Sequence, residues 1–177
     1  MKSFVFSMVK THDDDYVSAV EFSLAAYGDS TLQAVRQAFP IYACMQRHEQ
    51  LSAVCGVRGA DKGLFLEQFM EQPAEDYIAA HYASSVARSA IAELGAFSTR
   101  SAALVPLFAA EIEKMLLASG FRHVLALSPS GASDLLEWCK ERATMTSEKK
   151  AEAEPATLKV CVIPLTCPST KNGESHA

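Results

Sequence analysis

Apolar residues along this chain fall into short blocks separated by polar turns, and two periods recur. Phe4 to Val9 (FVFSMV) is a compact apolar run that predicts a first strand. From about Tyr16 to Tyr27 the apolar positions Val17, Val20, Leu24 and Tyr27 follow helical spacing, with Asp13, Asp14 and Asp15 at the start of that helix. Gly28-Asp29-Ser30 breaks it, and Thr31 to Gln37 continues for another turn or two. After Pro40, Ile41 to Arg47 and Leu51 to Arg58 read as two strands of a hairpin joined by His48-Glu49-Gln50. Gly56 inside the second strand marks a bulge or a close backbone approach. A loop, Gly59 to Gly63, leads to the apolar stretch Leu64 to Met70, which enters the element order as an optional short strand, and Pro73 opens a helix through about Tyr82.

The chain is organised around Ala87 to Leu127. Ser89 to Phe97 predicts a buried strand with Glu93 in its middle and Gly95 after it. A polar turn, Ser98-Thr99-Arg100-Ser101, precedes a helix with apolar Leu104, Leu107, Phe108, Ile112, Met115 and Leu116. Gly120 stops that helix, and Phe121 to Leu127 is the return strand. A helix from about Ala132 to Arg142 with the sole tryptophan, Trp138, follows; Thr144 to Glu154 reads as an exposed loop. Thr157 to Leu165 is the last strand, with Pro164 near its end, and the tail from Cys167 is expected to be disordered. This order predicts an α/β fold, a mixed sheet with helices on both faces, built as a single domain over residues 1–166.

Composition narrows the function classes. At 177 residues, nearly half of them hydrophobic, the chain can bury a sizeable core. A formal net charge of −5 with no basic cluster argues against nucleic acid as a partner. No apolar run approaches the roughly 18 residues that span a bilayer, and the N-terminus lacks the features of a signal peptide. Five scattered cysteines without CxxC spacing imply reduced thiols in a cytoplasmic protein, with neither a zinc site nor a disulfide framework. His48, His81 and His123 have no metal-ligand spacing, so no metal is expected. Hydroxyls, backbone amides and one guanidinium at the end of a strand and the start of a helix suit a phosphate-bearing ligand, although an ordinary βαβ unit has the same pattern.

Three segments carry a family resemblance. GVRGADKGLFLEQFMEQPAEDYI, then ARSAIAELGAFS, then the helix and FRHVLALS together resemble the bacterial thermostable hemolysin family, over roughly Val20 to Leu136. That family is similar in turn to GCN5-related N-acetyltransferases (GNATs) and acyl-homoserine-lactone synthases. The resemblance implies a GNAT-like N-acyltransferase fold, a central mixed, mostly antiparallel sheet flanked by helices on both faces, whose splayed central strands admit an acyl-pantetheine arm. It implies acyl transfer from acyl carrier protein or acyl-CoA to a small amine, in secondary-metabolite or signal biosynthesis.

Within that resemblance each site residue has a role. Glu93 is the expected base, since burial in an apolar strand raises a carboxylate's pKa; the alternative is an edge-facing glutamate or one salt-bridged to Arg88 or Arg58. Glu67 is expected to bind the acceptor amine or share the proton work, with Gln68 beside it. Arg58 and Arg88 either bind an acceptor carboxylate or neutralise those glutamates. Backbone amides of Gly95, Ala96 and Phe97 would polarise the thioester carbonyl and pair with pantetheine. Ser98, Thr99, Arg100 and Ser101 would meet the phosphate.

The chain also departs from the family pattern. The loop Ser98 to Ala103 has no glycine, Ala96 stands where the family has Asn, Pro106 removes an amide, and Ser128-Pro129-Ser130-Gly131 replaces a TAT-like and Arg-Asn segment. A carrier protein, which presents one phosphodiester, would ask less of such a loop than coenzyme A. The alternative is a non-catalytic binding or partner protein whose phosphate loop has decayed, associating as a homodimer through an exposed last strand. Membrane lysis, which the family name suggests, finds no basic amphipathic helix or apolar span here.

Overall fold

A computed structural model describes residues 3–25, 39–83, 85–128, 144–145, 149–150 and 157–165. The far end of the first helix, the Gly28 to Gln37 segment, the helix around Trp138 and the tail lie outside the described residues.

The elements follow the apolar blocks. In order they are β1 (Val5–Lys10), α1 (Asp15–Leu24), β2 (Ile41–Arg47), β3 (Gln50–Gly59), α2 (Ala74–Tyr82), β4 (Ile91–Thr99), α3 (Val105–Ala118), β5 (His123–Ser128), β6 (Thr144–Met145), β7 (Lys149–Lys150) and β8 (Thr157–Pro164). The strands form one sheet in the order β1-β2-β3-β4-β5-β8-β6, with β7 also paired to β8. Every pairing is antiparallel except β4 with β5, which run parallel and are joined through α3. This is the mixed, mostly antiparallel sheet that the resemblance implies.

Three apolar layers hold helices to the sheet. On one face α3 buries Val105, Phe108, Ala109, Ile112 and Leu116, spaced by three or four residues, against Ala92, Leu94, Val124 and Ala126. Each such large side chain contributes about 1.5–3 kcal/mol by leaving water. Leu107, expected inside, points out and is 41% exposed. On the other face α1 packs Tyr16, Ala19, Val20 and Leu24 over β1, β2 and β3, and α2 packs Ala74, Tyr77 and Ile78 over β5 and β8. Val17, expected in the α1 stripe, is 55% exposed, because Tyr16 takes its place and donates its hydroxyl to the Phe39 carbonyl at 2.7 Å.

Three sequence expectations change. Leu64 to Met70 is not a strand: Leu66–Phe69 is a 3-10 turn, with Leu64, Leu66 and Met70 buried under α2. Part of the Thr144 to Glu154 loop is sheet, since β6 and β7 pair with β8. As a result the last strand is interior, with β5 on one side and β6 and β7 on the other. The exposed edge proposed for homodimer association is therefore not available on β8. Among the described residues, the sheet's edges are β1 at one end and the two-residue β6 and β7 at the other. The β2–β3 hairpin is tighter than its sequence signals. His48 and Glu49 turn it in two residues with φ of 52° and 63°, a geometry that Asn-Gly usually supplies.

Candidate active site around Glu93

The parallel ladder between β4 and β5 covers Ile91 to Leu94 and ends there. From Gly95 onward, β4 runs on to Thr99 with no β5 partner among the described residues. Beside this parting, β4 carries one extra residue. Val54 and Gly56 of β3 stand opposite Ser98 and Gly95, so two steps on β3 face three on β4. The bulge is at Ala96, whose φ of 48° puts an alanine in the left-handed region. An L-residue with a Cβ pays about 1–2 kcal/mol there, whereas Gly avoids the clash and Asn tolerates it. Ala96→Gly or Ala96→Asn is therefore expected to raise stability by about 1 kcal/mol. Denaturant melts check this, and a loss of stability in both variants would mean the bulge does not hold Ala96 in that conformation.

Two facing glycines make room for a ring. Gly56 and Gly95 are direct partners across β3 and β4, and a Cβ on either would lie within 2.5 Å of Phe39. The Phe39 ring lies over both, so the expectation of a close approach at Gly56 is met, together with a bulge beside it.

Glu93 is 1% exposed. It lies two residues before Gly95 on β4, opposite Arg58 of β3 and beside Leu125 of β5. Its Oε2 accepts the backbone N–H of Leu66 at 3.0 Å. Burial pushes its carboxyl above the usual range, while the Leu66 and Phe65 amides and the Arg58 charge pull it back down and Glu67 adds to the rise. The balance favours a carboxyl that takes up protons more readily than a surface glutamate.

Glu67 faces another partner. Arg88 Nη1 and Nη2 donate to its two oxygens at 2.7 and 2.6 Å, a bidentate pair, and Oε1 also accepts the Ala74 N–H at 2.9 Å. These bonds hold its carboxyl below the usual range, with the Arg88 bonds foremost. Both expectations for Glu67 thus meet a physical obstacle: an ionised carboxylate committed to Arg88 is a poor base and has little left for an amine. Arg88 also donates to Glu75 Oε2 at 2.6 Å and, through Nε, to the Ala60 carbonyl at 3.2 Å. Of its two expected uses, neutralising the glutamates is the one this geometry serves. Arg58 is half-buried and donates from Nη2 to the Lys62 carbonyl at 3.2 Å. Gln68 is exposed.

The polar turn after β4 folds back on β3. Thr99 Oγ1 accepts the Ser101 N–H at 3.2 Å, and the Arg100 N–H donates to the Ser52 carbonyl at 2.9 Å. Arg100 Nε donates to the Leu51 carbonyl at 2.6 Å, and its guanidinium lies 5.2 Å from the Phe22 ring centroid. Arg100, Leu51 and Phe22 line a groove of about 590 Å³ between α1 and the β2–β3 turn; Glu93 is not in its walls. Ser98 and Ser101 flank this turn, and α3 begins at Val105 with Pro106 in its first turn and no side chain capping it.

Several contributors escape sequence reasoning. Phe39, the Leu66 amide, Glu75 and the Ala60 carbonyl all act on this centre from 13 or more residues away, at spacings that match no local motif. The paired glycines, Gly56 and Gly95, are the one signal that a bulky group must lie over the sheet.

The description "Thermostable hemolysin" belongs to a family model that matches residues 9–160. No curated protein sequence matches the chain. Among solved structures, FeeM, an N-acyl amino acid synthase from uncultured soil microbes, aligns with a TM-score of 0.61 and 11% identity over 93% of this chain and 92% of its own. BjaI, a CoA-dependent acyl-homoserine lactone synthase, aligns at 0.60 and 12% identity over 93% and 84%. The ribosomal-protein-S18-alanine N-acetyltransferase from Escherichia coli aligns at 0.58 and 7% identity over 98% and 99%. A putative acetyltransferase of the GNAT family from Desulfovibrio desulfuricans aligns at 0.60. At such identities the likeness shows the fold, and the fold is that of the GNAT-like N-acyltransferases.

Proposed function

The chain belongs to the thermostable hemolysin family, and from that footing we propose that it is an N-acyltransferase moving an acyl group from a thioester to a small amine. The observation that carries this reading is the position of Glu93: a buried carboxyl with raised proton affinity, one residue before the β4–β5 ladder ends. The thioester arm enters where the strands part, and the free edge of β4 from Gly95 to Phe97 pairs with its amides and holds the carbonyl oxygen. Glu93 takes the proton from the acceptor's ammonium, the amine nitrogen bonds to the carbonyl carbon, the carbon–sulfur bond breaks, and the departing thiolate takes the nitrogen's second proton to leave as the thiol. Because Glu93 is closed off from water, residues 63–72 must lift for the amine to reach it.

The donor is an acyl group on coenzyme A or on a carrier protein's pantetheine. BjaI's CoA dependence supports the first. The glycine-free loop and the engagement of Arg100 with Leu51 support the second, since a single phosphodiester needs fewer contacts than a pyrophosphate. Among acceptors, FeeM's product class supports an amino acid or a similar small amine.

The deciding experiment compares acetyl-CoA, longer acyl-CoAs and acyl-loaded carrier protein by calorimetry, with thiol release measured in the presence of amine mixtures. Saturable donor binding with amine-dependent thiol release is the expected result. Absence of binding to every donor would remove the reading and leave a non-catalytic partner protein on the same fold.

A further inference from the structure

Residues 63–72 cross over Glu93 as a strap. The strap begins at Gly63, whose φ of 78° favours glycine, with nothing within 4 Å of a Cβ placed there. Leu66 donates its N–H to Glu93, and the next residue, Glu67, is held at both oxygens by Arg88. Arg88 comes just before β4 and joins three pieces at once: the Ala60 turn, the strap through Glu67, and the first turn of α2 through Glu75. We propose that Glu67 and Arg88 are positioning residues that clamp the strap shut over Glu93 and so keep its carboxyl out of water.

The proposal deepens the acyl-transfer reading by naming what controls its base, and its test needs no turnover. The charged groups facing Glu93 are Arg58 from β3 and Glu67 from the strap, while its β5 neighbour, Leu125, is apolar. Burial is the largest cause of its raised proton affinity. Opening the strap admits water and lowers that affinity, which outweighs the loss of the Leu66 and Phe65 amides. In Glu67→Gln the repulsion from Glu67 disappears as well, in the same direction.

The test uses Glu67→Gln and Arg88→Lys in the full chain. Amide hydrogen exchange of the strap is expected to quicken by about tenfold, with β4 amides unchanged. The protonation midpoint of Glu93, followed by infrared difference spectroscopy and identified by subtraction of Glu93→Gln, is expected to fall toward the ordinary carboxylate range. Glu75→Gln removes only the α2 contact and should leave that midpoint in place. In Arg88→Lys a purely structural role would lower stability without moving the midpoint, whereas in Glu67→Gln the lost repulsion moves it by itself, so Arg88→Lys is the discriminating variant; an unmoved midpoint in either folded clamp variant overturns the proposal. If Glu67→Gln does not fold, Arg88→Lys, which keeps the charge and loses the fork, decides alone. A moved midpoint in a protein that turns over no thioester supports the clamp and removes the acyl-transfer reading.

Discussion

Glu93→Gln is expected to lower amine-dependent thiol release by about 10²- to 10⁴-fold, the usual contribution of a positioned base, while the protein stays folded. Glutamine has the same length and can still accept the Leu66 N–H through its amide oxygen, so the strap keeps its anchor. What it loses is the ability to take a proton. Turnover by wild type should rise with pH along a limb set by Glu93, above the range of a surface carboxylate, and that limb should vanish in the variant. Unchanged turnover in folded Glu93→Gln protein would remove Glu93 as the base.

The same substitution has a signature in stability. Burial raises the folded-state pKa of Glu93 above its unfolded value near 4.5. The folded state therefore binds the proton more tightly, and Glu93 contributes stability that is fully present below pH 4.5 and lost as pH rises through the folded value. Thermal melts across that window should show wild type losing this contribution while Glu93→Gln does not. Parallel curves for the two proteins would mean the carboxyl is not dry in the native state.

How far the sequence carries depends on which forces act locally. α3 is legible because it buries one face at helical spacing, and β2, β3, β4 and β5 because they are short, mostly apolar runs buried on both faces. Leu64 to Met70 reads as a strand from its apolar content, yet the segment folds as a 3-10 turn tied down by Glu93 and Arg88, partners more than 20 residues away. Tyr16 replaces Val17 in the α1 core because its hydroxyl finds the Phe39 carbonyl, a contact no helical wheel contains. Glu93 stands out as a charge in an apolar strand, and of the two readings open for it, buried base or edge-facing glutamate, the structure has it buried. Glu67 reads as an amine binder or a partner in proton work, and Arg88 as a carboxylate binder or a neutraliser of the glutamates; the geometry pairs the two with each other. Pairings of this kind depend on tertiary distance, which a single sequence does not encode by spacing. The left-handed Ala96 is hidden for the opposite reason: alanine carries no sign of the conformation it is forced to adopt.

Gly56→Ala is expected to be the most destabilising single methyl on the site's scaffold, costing about 3 kcal/mol and lowering the melting temperature by roughly 6–12 °C. The new Cβ would lie 2.5 Å from Phe39 Cγ, 2.8 Å from Cδ2 and 2.9 Å from Cβ. Contacts with the root of the side chain cannot be relieved by swinging the ring, and the Phe39 backbone is held by the Tyr16 hydroxyl at 2.7 Å. Gly95→Ala meets the ring tip instead, at 2.3 Å from Cζ, so part of its cost can be relieved by a shift of χ angles. The collision predicts its own rescue. In a Phe39→Ala background, itself costing about 3–5 kcal/mol for the cavity, Gly56→Ala should cost no more than about 1 kcal/mol, because the two contacts at 2.5 and 2.8 Å leave with the ring and only the one to the residue-39 Cβ at 2.9 Å persists. A double-mutant cycle by denaturant melts measures the coupling, expected at about 2–3 kcal/mol. Additive costs would show that Phe39 does not lie over the paired glycines. The consequence reaches the site: the ring that fills the space over Gly56 and Gly95 also bears on the β4 backbone where the strand leaves β5. A methyl that displaces it should therefore weaken donor binding as well as stability, whereas in the Phe39→Ala background the same methyl should lower neither much further.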